Sequence, residues 1–101
     1  MNYKLAKQLK DAGYPQPKYF TAGNYYEKND EMIVIPTLSE LIDACGDKFD
    51  SLSIGEDKKW ICMGGEWNED YGIEFIIEGE TYEESVAKLW LEINKYEKRK
   101  N

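Results

Sequence analysis

Histidine does not occur among the 101 residues of this chain. Its absence removes Ser/His and Cys/His dyads, the commonest zinc ligand, and the one side chain that ordinarily titrates near neutral pH. Cysteine is scarce: Cys45 and Cys62 are the only two, and they form no C-x-x-C. Both sit among apolar neighbours without cations that would lower a thiol pKa. They are therefore expected as small buried hydrophobes rather than as nucleophiles or a disulfide. Long apolar runs are missing too, so no segment approaches the ~20 residues that span a bilayer. The opening stretch Met1–Lys10 interleaves three lysines with leucines and so lacks a secretory apolar core. A cytoplasmic protein without a membrane partner is expected. Positive charge is also in deficit, with 13 Lys+Arg against 20 Asp+Glu and a net charge of −7. Direct nucleic-acid binding, which needs clustered Lys and Arg, is excluded on that ground.

What is present is a core. The chain is 42% hydrophobic and 14% aromatic, too apolar for a disordered acidic tail. Its length suits a single small domain spanning 1–101. Residues 4–12 carry Leu5, Leu9 and Ala12 on one helical side, with Gly13 as the natural C′ residue and Tyr14 folding back on the last turn. A loop follows through Pro15, Pro17 and Gly23. Tyr25–Tyr26 and Met32–Ile35 suit the two strands of a hairpin, turned at Lys28–Asn29–Asp30. Thr37 and Glu40 have capping-box spacing, and Leu38, Leu41, Ile42 and Cys45 then form one apolar stripe closed by Gly46.

Leu52 and Ile54 alternate with Ser51 and Ser53, and Lys59–Met63 is the partner strand across a turn at Glu56–Lys58. Gly64 and Gly65 are expected to break that run, leaving 66–72 as a loop or hairpin tip. Ile73–Glu78 is the third strand, with Ile73, Phe75 and Ile77 on one face. Glu74 and Glu78 flank Ile76 on the other. Thr81 and Glu84 repeat the capping box before a last helix whose stripe runs through Tyr82, Val86, Leu89, Trp90, Ile93 and Tyr96. The expected class is α+β. It comprises an antiparallel sheet of three to five strands with two helices packed on one face, an αβββα core from residue 37, and a short N-terminal helix.

The αβββα order resembles that of double-stranded-RNA-binding domains. Those domains meet phosphates with lysines at the start of their last helix. Here Tyr82, Glu83 and Glu84 stand at that place, which removes the RNA function. A closer resemblance lies in the sequence. The segments PTLSELIDACG and GETYEESVAKLWLEINK, with the opening LAKQLKDAGYPQ, resemble a group of small proteins of tailed phages and prophages of gut bacteria. Tyr82 stands where that group tends to have proline. The shared motifs are core and capping motifs, so the resemblance implies a phage-encoded cytoplasmic accessory protein and carries no catalytic residue with it.

The chemistry-bearing patterns are few. Asn68, Asp70 and Gly72 resemble the start of a calcium loop, but the first Asp is missing and Gly79 stands where the bidentate Glu belongs. Gly64–Gly65 matches no phosphate-binding motif. No catalytic residue, metal or cofactor is expected. Charge distribution says more, because residues 47–84 carry twelve acids and three bases. From Glu66 to Glu84 there are eight acids and no base, interleaved with Trp67, Tyr71, Phe75 and Tyr82. The simpler account is a solvated face that keeps an aromatic-rich protein in solution. The sharper one is a docking surface built from Glu66, Trp67, Glu69, Asp70, Tyr71 and Glu74. Its carboxylates would steer a basic host protein and its aromatics would anchor it. Two alternatives stand beside it: a nucleotide binder using Trp60 and Trp67 with Lys58 and Lys59, and a structural homodimer without ligand.

Overall fold

The computed structural model describes residues 1–16, 25–67 and 72–100. The element order is α1 (Tyr3–Asp11), β1 (Tyr25–Lys28), β2 (Glu31–Val34), α2 (Leu38–Cys45), a 3₁₀ turn (Gly46–Lys48), β3 (Phe49–Ile54), β4 (Trp60–Trp67), β5 (Gly72–Gly79) and α3 (Tyr82–Lys100). The fold is α+β, with three α-helices and two antiparallel sheets among the described residues.

Local chemistry sets the ends of these elements. Asn2, not read from the sequence, caps α1 by accepting from the Leu5 amide at 2.8 Å. The helix closes in a Schellman motif: Gly13 at φ +97° donates to Lys10, and the Tyr14 amide donates to Leu9. Tyr14 thereby turns inward and meets the Trp90 ring edge-on at 5.1 Å. In α2 the Thr37–Glu40 box is complete, with bonds of 3.2 and 3.0 Å. At α3 it is displaced by one residue. Thr81 accepts from the Glu84 amide, while the Glu84 carboxylate reaches the amide of Glu80. The hairpin turn is tight because Asn29 and Asp30 both take positive φ, at 54° and 62°, as a two-residue type I′ loop requires.

Strands β3, β4 and β5 form one meander. The hairpin β1–β2 is a sheet of its own, so the main sheet has three strands, the lower end of the three to five expected, and the hairpin does not extend it. The hairpin is tied to α1 by the Lys7–Glu31 ion pair at 2.8 Å and by an edge-on contact of Tyr3 with Tyr26. Helix α3 packs on β4 and β5, while α2 packs on α3 and α1 on α3 and β2. The core therefore lies around α3. Leu5, Leu9, Tyr14, Leu41, Cys45 and Cys62 meet Val86, Ala87, Leu89 and Ile93 there. The stripe expected on α3 is wider than one face, because Ser85 and Ala87 are also fully buried between its neighbours.

The expected break at Gly64–Gly65 does not occur. β4 runs through both glycines to Trp67, which puts Glu66 and Trp67 in a strand rather than a loop. Glycine is needed there for close approach. A Cβ at Gly64 would collide with the Lys48 carbonyl and Leu89, and one at Gly65 with the Ile73 carbonyl across the ladder. The molecule measures 19 Å along its thinnest axis, the depth of two layers.

Candidate docking face

Strand register decides which side chains share the outer face of the three-stranded sheet. Leu52, Cys62 and Ile77 stand opposite one another and belong to the core. Side chains alternate along a strand, so the intervening residues point the other way. Across the outer face, Ser53, Ile61 and Glu78 form one row, and Ser51, Met63 and Ile76 the next. Gly65 beside Glu74 and Trp67 beside Gly72 complete it. Ile76 is 63% exposed and Trp67 54%. Gly72 lies directly against the Trp67 ring, where a side chain would collide with the indole.

The electrostatics follow from where the bases are used. The described strands β3, β4 and β5 contain Asp50, Glu66, Glu74 and Glu78 and no Lys or Arg. Lys48 pairs with Glu97 at 2.6 Å, Lys88 with Glu84 at 2.8 Å and Lys95 with Glu92 at 3.4 Å, all in the helix layer. The Glu97 partner raises the Lys48 ammonium above its ordinary pKa, with the Glu66 charge adding to the effect. Among the described residues, Glu74 and Glu78 enter no ion pair. The outer face thus combines two uncompensated carboxylates with an exposed apolar strip.

Of the residues proposed from the sequence, Trp67 and Glu74 are brought together on this face. Glu66 is not. It follows Gly64 in phase, stands opposite Ile73, and lies on the helix side near Lys48. Glu69, Asp70 and Tyr71 lie outside the described residues. Ile61, Met63, Ile76 and Glu78 belong to the face but were not singled out from the sequence as site residues. The alternation of Ile76 and Glu78 with Glu74 was the signal that could have found two of them.

The other chemistry considered from the sequence has no common site. Trp60 and Trp67 sit at opposite ends of β4, ~23 Å apart along a strand of its length, and on opposite faces. Trp60 instead meets Tyr82 edge-on at 5.4 Å, and Lys58 and Lys59 lie at that end. The two indoles therefore cannot stack one nucleobase. Burial pushes the Cys45 and Cys62 thiols up to about 12 and about 11, the opposite of an activated nucleophile. Among the described residues, no group of three or more His, Cys, Asp or Glu could hold a metal ion, and no helix is long and apolar enough to cross a membrane. Comparison with protein-family models, with curated proteins and with solved structures finds no match.

Proposed function

We propose that this protein is a non-catalytic accessory protein that docks a basic partner on the outer face of its three-stranded sheet. The observation that carries this is the joint exposure of Trp67 and Ile76 beside Glu74 and Glu78, on a face with no base in its strands. An aromatic and an aliphatic anchor supply area to be desolvated, and the carboxylates steer a cationic surface onto them. The resemblance of PTLSELIDACG and GETYEESVAKLWLEINK to small phage proteins supports a host cytoplasmic setting. A host enzyme that handles nucleic acid, with a basic groove for phosphates, is the partner class this chemistry fits. We also propose that residues from 37 onward form an αβββα unit in which α2 and α3 make one helix layer, leaving the opposite side of the sheet to the partner.

The test is affinity capture from bacterial lysate with wild type, E74K/E78K and W67A. The charge-reversed variant should lose the partners that wild type retains at low salt, and W67A should weaken them. E56K/D57K, reversing acids in the β3–β4 turn, should retain them. Equal capture by wild type and E74K/E78K would refute the docking face.

A further inference from the structure

Among the described residues the three-stranded sheet has two edge strands, and the sequence treats them differently. An unpaired strand edge offers main-chain donors and acceptors to any other strand, and proteins guard such edges with charge, proline or bulges. β5 is guarded. Pairing β5 antiparallel with itself about Ile76 would set Glu74 opposite Glu78, and like charges directly opposite are destabilising. β3 is free of charge and proline over Ser51-Leu52-Ser53-Ile54 and into Gly55; the nearest acids, Asp50 at the bulge and Glu56 in the following turn, flank that stretch on either side. Its bulge lies upstream, between Phe49 and Ser51. Ile54 is 56% exposed.

The direction of the free main-chain groups follows from one bond. The Gly55 amide donates to the Lys59 carbonyl at 2.8 Å, which turns Gly55 toward β4. Alternation along the strand then turns the main-chain groups of Ser53 inward and those of Leu52 and Ile54 outward. A second copy approaching antiparallel about a two-fold axis at Ser53 sets Leu52 of each chain opposite Ile54 of the other. That register makes a hydrogen-bonded pair on either side of the axis, covers the exposed Ile54, and leaves the bulge outside the paired segment.

We infer that β3 is a self-association edge, and that two copies pair there antiparallel about Ser53 into one continuous sheet. Such a contact is isologous and closes as a dimer, whereas joining β3 to β5 would be heterologous and would propagate. The dimer sets two outer faces side by side on one surface. This goes beyond the docking proposal and fails or stands separately from it.

The register makes a specific test available, because Ser53 faces its own copy. Sedimentation velocity over a dilution series should show wild type as a dimer dissociating to a folded monomer. S53K and S53E should each run as monomers, with unchanged far-UV circular dichroism. An equimolar mixture of the two should recover the dimer, since opposite charges then face each other. Amide exchange at Leu52 and Ile54 should speed up on dilution of wild type, which reports the edge without any substitution. A wild type that stays monomeric, a dimer that survives S53K, or a mixture that remains monomeric would overturn the inference. Partner capture is not read in this experiment.

Discussion

Lys58 holds φ at +64°, a left-handed conformation that costs an L-residue roughly 1–2 kcal/mol. It closes the β3–β4 turn, where the Lys58 amide bonds back to the Gly55 carbonyl at 3.0 Å. Glycine takes this conformation without penalty but loses more freedom on folding. K58G should therefore gain a net ~0.5–1 kcal/mol, read as a higher thermal midpoint, and no gain would mean the turn is not strained. Gly64 is the opposite case. Its Cβ would meet the backbone carbonyl of Lys48 and the side chain of Leu89 on α3. G64A should lose about 1–3 kcal/mol in urea unfolding, as overpacked sites do. The buried thiols and Tyr14 set the alkaline limit. Burial raises Cys45 to about 12 and Cys62 to about 11 from 9.0, and raises Tyr14 to about 12 from 10.0. The unfolded chain loses these protons first. Stability is thus full below pH ~9 and falls as pH rises toward 11–12. Thermal melts should show that decline, and both thiols should resist a thiol reagent at pH 8 until the protein unfolds.

At the scale of elements, caps and tertiary clamps divide the work. The α2 helix has only eight residues, too few to persist alone, so its reciprocal Thr37–Glu40 box matters more than in a long helix. T37A should cost ~1 kcal/mol, seen as a lower urea midpoint at unchanged slope. The nine-residue α1 is held by Asn2 at one end and by side chains of α3 at the other. There the Asn94 side-chain amide donates to the Ala12 carbonyl at 3.0 Å, satisfying a group the helix leaves open. That long-range bond is invisible in the local pattern of KLAKQLKDA. β4 teaches the same point in reverse. Two adjacent glycines ordinarily end a strand, yet here Leu89 and the Ile73 backbone occupy the space their side chains would need.

At the scale of the whole molecule, charge is sorted between layers. Lysines in the helix layer pair with glutamates, while the outer sheet face keeps Glu74 and Glu78 uncompensated beside Trp67 and Ile76. Binding led by such exposed carboxylates is screened within about 8 Å at physiological ionic strength. Association with a basic partner should therefore slow steeply as salt rises, with dissociation little changed, in surface-binding kinetics. Salt-independent association would argue that the apolar strip alone carries recognition.

The sequence by itself determined the local grammar. The Thr37 box, the Gly13–Tyr14 closure, the alternation in IEFIIE and the buried character of both cysteines are short-range matters of hydrogen-bond geometry and side-chain period. It also placed the excess charge in 47–84. Tertiary structure decided what spacing cannot express. It separated the hairpin from the main sheet, carried β4 through Gly64–Gly65, and turned Glu66 toward the helices while Trp67, one residue on, faces out. A strand places adjacent residues on opposite sides, so an acidic run in sequence is divided between two surfaces as soon as it pairs. Only the partner strand and the helix above it settle which half is left to meet another molecule.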